Sequence, residues 1–317
     1  VFRSLSQYWY FCFSPGGLMT PAMWPEPPST YVTGPPNSLE PMNTDFAGGQ
    51  VASQSACAAF NPAPGPYNLL CGNGRLGVDL TQLMIAPYAA WKLSPQHSVG
   101  FAPVLAYQRF KAEGLQAFAN PMASTAADKV TNNGHDDAFG YGARLGWYGA
   151  FGNVTAGASY ATKMRMQEFK KYEGLFAESG GFDIPSTWQV GVAFRPDAKW
   201  TVALDYQRID YSDSKAVSNA STQILACFGG DASACLGGPA GAGFGWQDID
   251  VWKVGVQYAV NADLTLRAGY NRSDNPIPSR DVTFNILAPG VIKDHYTLGS
   301  TWRLDAKSEI TSYLLYA

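Results

Sequence analysis

From Leu76 onward, apolar and polar positions alternate along the chain. In Val251–Val260, Trp252, Val254, Val256, Tyr258 and Val260 share one face, and Lys253, Gly255, Gln257 and Ala259 share the other. That two-residue period is the signature of a strand. After Asn261-Ala-Asp263 the alternation resumes, with Leu264, Leu266, Ala268 and Tyr270 opposite Thr265, Arg267, Gly269 and Asn271, so the two strands form a hairpin with a tight turn. The same unit predicts about ten strands in five hairpins: 76–92 with 98–112, 137–149 with 153–167, 186–195 with 199–211, 248–260 with 263–272, and 294–304 with 307–317. Turns within hairpins are short. Connections between them are long, one exceeding thirty residues.

The two faces differ in the solvent they suit. One carries aliphatics with Trp and Tyr near the strand ends; the other carries Gly, Ala, Thr, Gln and the ionisable residues. Rings at headgroup level, aliphatics between them and a polar interior are what a transmembrane barrel needs. The pattern therefore predicts an all-β fold: an antiparallel, up-and-down transmembrane barrel with short periplasmic turns and long extracellular loops, in the outer membrane of a Gram-negative bacterium. Arg144, Lys163, Arg165, Asp205, Lys253, Arg267 and Arg303 take the interior register. On the lipid face a midplane Arg or Lys would cost about 2–4 kcal/mol. Pro87 and Pro103 interrupt the first hairpin. Each lacks a ladder donor, which fits either a bulge or gap in the wall or an ordinary edge position.

Composition agrees. The 317 residues are 15% charged and 14% aromatic, with 33 Gly and a net charge of −3. Charge is well below the usual quarter for a soluble domain. No run of eighteen apolar residues predicts a membrane helix, and the scattered cations leave no nucleic-acid footprint. Cys57 and Cys71 fall in one long connection and Cys227 and Cys235 in another, while Cys12 stands apart. Two bridges within loops suit an oxidising exterior and would each contribute roughly 2–3 kcal/mol. The three histidines, His97, His135 and His295, lie on separate segments, so neither a metal site nor a hydrolase triad is expected, and no cofactor or catalytic residue is assigned. Residues 1–75 read as an irregular segment followed by an external loop, with an aromatic cluster at Tyr8–Phe13 and eight prolines between Pro15 and Pro41. Residues 76–317 read as the barrel portion.

Several stretches are specific enough to suggest kinship. Trp200-Thr-Val-Ala-Leu-Asp-Tyr-Gln-Arg-Ile-Asp210, Leu264-Thr-Leu-Arg-Ala-Gly-Tyr-Asn271, Asn275-Pro-Ile-Pro278, Thr283-Phe-Asn-Ile-Leu-Ala-Pro-Gly-Val291 and His295-Tyr-Thr-Leu-Gly299 resemble the C-terminal half of the FadL family, outer-membrane transporters of long-chain fatty acids and other hydrophobic compounds. Gly77-Val-Asp-Leu-Thr-Gln-Leu83 and Tyr107-Gln-Arg-Phe110 extend the resemblance upstream. It implies a fourteen-stranded barrel plugged by an N-terminal hatch, of which the ten strands here would be the fourth to the thirteenth. Substrate would be captured outside on a hydrophobic loop surface, held in the interior and released sideways through the wall. Asn61-Pro-Ala63 echoes the family's hatch motif but lies between cysteines in an external loop.

The expected partners are hydrophobic small molecules and outer-membrane lipid, with the protein acting as a monomer. Interior candidates for a substrate carboxylate are Arg144, Lys163, Arg165 and Arg267; loop candidates for the apolar chain are Ile224, Leu225, Phe228, Leu236, Phe244, Ile286 and Leu287. The rival functions are an aqueous porin and a surface adhesin or receptor acting through its loops.

Overall fold

The computed structural model describes residues 42–46 and 54–317. Thirteen strands form one sheet, all of whose named pairings are antiparallel. They are β1 (Met42–Phe46), β2 (Leu76–Ile85), β3 (Ala89–Lys92), β4 (His97–Glu113), β5 (Asp136–Phe151), β6 (Val154–Ala161), β7 (Arg165–Met166), β8 (Ser186–Phe194), β9 (Trp200–Asp210), β10 (Ile249–Ala259), β11 (Leu264–Ser273), β12 (Asp294–Arg303) and β13 (Glu309–Tyr316). Neighbours in sequence pair along the path β1-β2-β4-β5-β6-β8-β9-β10-β11-β12-β13, with β3 set against β4 and β7 against β5. Among the described residues no pairing joins β1 to β13, yet Leu80 of β2 and Ala288, between β11 and β12, line the same cavity. The sheet therefore curls round on itself.

All ten expected strands are present. β1 is additional: it lies where an external loop was expected and pairs with the outer half of β2, Met42 opposite Leu80 and Phe46 opposite Leu76. The aromatic cluster, the proline-rich run and Cys12 lie outside the described residues.

The faces settle the solvent. Trp252 is 52% and Val254 41% exposed, while Gly255 of the opposite face is buried. Phe139, Tyr141, Leu145, Val190, Leu204 and Leu298 are likewise exposed. A soluble protein does not turn an apolar residue outward at every second position of every strand; a barrel in lipid must. The rings gather at two levels. Trp252 and Tyr258, Trp188 and Phe194, and Tyr296 and Trp302 are each six residues apart on one strand, roughly 20 Å of strand. Ring contacts join neighbours within each level: Tyr206–Trp252 at 4.8 Å and Tyr270–Tyr296 at 5.0 Å at the loop end, Trp200–Tyr258 at 4.5 Å at the turn end. Among the described residues no helix is long and apolar enough to cross a membrane.

Two departures from a regular wall matter. First, β2 and β3 are one strand broken at Ala86–Tyr88. The register is the same on either side, Ile85 opposite Leu105 and Ala89 opposite Phe101, so Pro87 and Pro103 face each other across an unpaired rung. Neither can donate, and the ladder is interrupted there.

Second, the expected strand 153–167 leaves the ladder at Thr162, whose hydroxyl takes the Ala143 N–H at 3.0 Å. Pairing resumes at β7 one residue out of phase. Three steps along β5, from Arg144 to Tyr141, match four along its partner, from Ala161 to Arg165. This bulge exchanges the faces of everything beyond it.

Candidate functional site

The inner surfaces of β2 and β4 change character towards the loop end. Leu76, Val78 and Leu80 on β2 and Phe110 on β4 all point inward and are buried, although the middle of the same wall is lined by small residues such as Ala102 and Ala106. Apolar side chains facing a barrel interior need a cover, and the loops supply it. The segments after β4, β7, β9 and β11 fold over this patch and build a cavity of about 70 Å³. Its lining includes six phenylalanines, Phe110, Phe118, Phe176, Phe182, Phe244 and Phe284, with Leu70, Leu175, Leu236, Leu287, Ala216 and Ala288. No lining side chain is polar. Phe176 meets Phe110 and Phe182, both at 4.8 Å between ring centres. A single water needs roughly 10–15 Å³ on this measure and at least two polar partners. The cavity has the room and offers no polar side chain, so it suits an apolar guest better than water.

A second chamber of about 60 Å³ shares Leu80, Phe182, Phe244 and Ala288 with the first and adds Gln82, Asp183, Tyr211 and Trp246. Asp183 is already engaged, by Lys163 Nζ at 2.7 Å and by the Met166 backbone N–H at 2.8 Å. The Tyr211 ring stands edge-on to Trp246 at 4.9 Å, and burial pushes its phenol well above the ordinary value, so it stays protonated.

One buried carboxylate ties the roof together. Asp281 is fully buried and accepts the Ser221 backbone N–H and hydroxyl at 2.8 and 2.7 Å and Arg280 Nε at 3.0 Å. Asn285 donates to the Asp281 and Phe244 carbonyls, and Trp246 Nε1 donates to Asn285 Oδ1. The loop after β11 is thereby fixed on the loop after β9. Gly245, at φ +71°, permits the approach: a Cβ there would lie 2.2 Å from the Asp281 carboxyl. Both disulfides form, Cys57–Cys71 and Cys227–Cys235. The first staples a loop that Asn68 pins to the Gly114 carbonyl at 2.9 Å and that carries Leu70 into the cavity.

A family model described as outer membrane protein transport protein (OMPP1/FadL/TodX) matches residues 71–314. The protein belongs to this family. Solved structures share the fold of this FadL-family chain. The Pseudomonas putida toluene transporter TodX is 21% identical, with a TM-score of 0.50 over 75% of this chain and 64% of that one. The Ralstonia pickettii toluene transporter TbuX is 16% identical, with a TM-score of 0.50 over 75% and 62%. A Pseudomonas aeruginosa FadL homologue is 14% identical, with a TM-score of 0.51 over 76% and 60%. The chain thus spans less than two thirds of the length of each of these three. No curated protein matches it.

The residues expected from the sequence divide in this FadL-family structure. Phe244, Leu236 and Leu287 line the first cavity, and Ile224 is buried beside it in the cluster holding Cys227 and Cys235. Ile286 is half-buried but does not line it, and Leu225 and Phe228 are exposed on the loop surface, Phe228 with its ring 6.5 Å from Phe60. Arg144 faces the interior, its Nε buried without a partner. Arg267 also faces inward, donating to Gln257 at 2.9 Å and Thr301 at 2.6 Å. Lys163 is committed to Asp183 rather than free in the lumen. Arg165 is a correction: the bulge turns it outward beside Tyr141, while Met166 takes the inward position over Gly140, where a Cβ would collide with its sulfur. The inward apolar residues of β2 and β4 were not singled out. The available signal was phase, because Phe110 falls on the face opposite Leu105 and Tyr107.

Proposed function

We propose that this protein carries small hydrophobic compounds passively across the outer membrane, neutral aromatic ones foremost, with the loop-capped cavity as the site of first capture. The observation that supports this reading is the cavity's lining: six aromatic rings, aliphatics and no polar side chain. A carboxylate held there would lose its hydration and find no cation, a cost of several kcal/mol. The toluene transporters that share the fold make the same substrate class reasonable for this chain. Long-chain fatty acids are the second reading, favoured by the partnerless Arg144 Nε and by Arg267 deeper in the interior. The packed clusters under the loops argue against an open aqueous pore.

Binding to the purified full chain, followed by isothermal titration calorimetry, tests the choice. Toluene should bind at least about tenfold more tightly than benzoate, the equivalent of 1.4 kcal/mol. Tighter binding of benzoate would transfer capture to the cationic interior.

The unpaired rung at Pro87 and Pro103 supports release sideways into the wall. Replacing both prolines by Val restores two ladder donors, and should slow uptake by cells severalfold while leaving toluene affinity unchanged. Unaltered uptake would remove the lateral route.

A further inference from the structure

Three of the strand pairs joined by long loops carry the same cross-strand unit at the outer ring of aromatics. On the first strand it reads Tyr, amide, Arg: Tyr107-Gln-Arg109, Tyr206-Gln-Arg208 and Tyr270-Asn-Arg272. On the second it reads Asp, any residue, aromatic: Asp137-Ala-Phe139, Asp250-Val-Trp252 and Asp294-His-Tyr296. In each unit the Arg stands opposite the Asp, and the Tyr opposite the aromatic. The amide points inward, and Gln108, Gln207 and Asn271 are all buried. The Tyr, Arg and Asp point outward, away from the transport path.

Within each unit the phenol holds the carboxylate: Tyr107 donates to Asp137 at 2.5 Å, Tyr206 to Asp250 at 2.8 Å and Tyr270 to Asp294 at 2.5 Å. What is left for the arginine differs. Arg208 is saturated by Asp210, Asp248 and Asp250 at 3.0, 3.1 and 3.2 Å. Arg109 and Arg272 stand 4.0 and 3.9 Å from their Asp, at the limit of an ion pair, with 51% and 63% of the side chain exposed. Arg165, turned outward by the bulge, adds a third exposed guanidinium beside Tyr141, with no ion pair among the described residues.

We propose that Arg109, Arg165 and Arg272 form an outward-facing belt that binds the phosphate groups of outer-leaflet lipids. The level is right, because the exposed rings of Phe139, Tyr141 and Tyr296 lie beside these arginines and mark where hydrocarbon gives way to headgroups. The chemistry is right, because a guanidinium fork matches phosphate oxygens in two parallel hydrogen bonds. The Asp137 and Asp294 carboxylates are already engaged by a phenol, while Arg109 and Arg272 stay at the limit of an ion pair with them. Lipid acyl chains would lie along Leu145 and Leu298, which are exposed further from the loop end on β5 and β12.

The test uses the full chain in a neutral detergent, with native mass spectrometry as the readout and two probes: a glycolipid bearing two phosphates, and the same glycolipid after phosphatase treatment. The wild type should retain the phosphorylated probe at least about tenfold better. In Arg109→Gln/Arg165→Gln/Arg272→Gln that preference should vanish, whereas Arg208→Gln, which alters a saturated arginine, should keep it. The triple Lys variant preserves charge and guards against misfolding of the Gln variant; it should keep most of the preference, with heat-modifiable gel mobility confirming a folded barrel in each case. Equal retention of both probes by the wild type, or an unchanged preference in the folded Gln variant, overturns the belt.

Discussion

Replacing Ala216 by Phe should lower uptake of a neutral aromatic compound about tenfold or more, the loss expected when at least 1.4 kcal/mol of binding is removed. Ala216 is buried, lies on the short helix Lys215–Ser218 and lines the first cavity. A phenyl group there would occupy the space that the proposed guest takes. The cavity already offers about 70 Å³, so the added ring fills a void rather than forcing a packed core apart. Overpacking elsewhere in a protein interior costs roughly 1–3 kcal/mol; here the strain should be smaller, and the barrel should keep its heat-modifiable mobility. Radiolabelled uptake by cells and toluene titration of the purified chain measure the two halves of the expectation. Full uptake by the folded variant would mean that substrate passes by another route.

Asp281→Ala should release the roof. The substitution removes the acceptor of the Ser221 amide and hydroxyl and of Arg280, leaving two buried donors without partners. Breaking a buried charged network from one side costs about 3–5 kcal/mol. The effect should be local, because the strand ladder makes no use of this carboxylate. Hydrogen exchange at residues 219–222 and 283–288 should accelerate, and toluene affinity should fall with it, since Phe244, Phe284 and Leu287 lie on the two loops that the carboxylate joins through Ser221. Gly245→Ala reaches the same point independently, through a Cβ that would collide with the Asp281 carboxyl at a backbone angle unfavourable to alanine. Unchanged exchange in both variants would show that the loops are held by apolar packing alone.

Strands were legible because their period is short and their two faces meet different solvents. Trp252, Val254 and Gln257 could be sorted without any partner in view, and the structure sorts them in the same way. Arg165 could not. Its side depends on whether the ladder gains a residue between Ala161 and Arg165, and a bulge of one residue leaves no mark in composition. The pairing of Pro87 with Pro103 sat between these cases: each proline announced a missing donor, but only the register showed that the two omissions share a rung. The loops were legible in chemistry and opaque in geometry. Phe228 and Phe244 looked alike in the chain, yet one is exposed and the other lines the cavity.

By itself the sequence determined the membrane barrel, its two girdles of rings, its inward ionic residues apart from Arg165, and the cysteine pairs. Each of these follows from alternation or from neighbours close along the chain, where sterics and solvent act residue by residue. The tertiary structure alone decided which apolar residues line a cavity, which arginine turns outward and where the ladder breaks. Those outcomes depend on contacts between segments more than a hundred residues apart, such as Leu80 with Ala288, and on single steps of register that no local preference encodes.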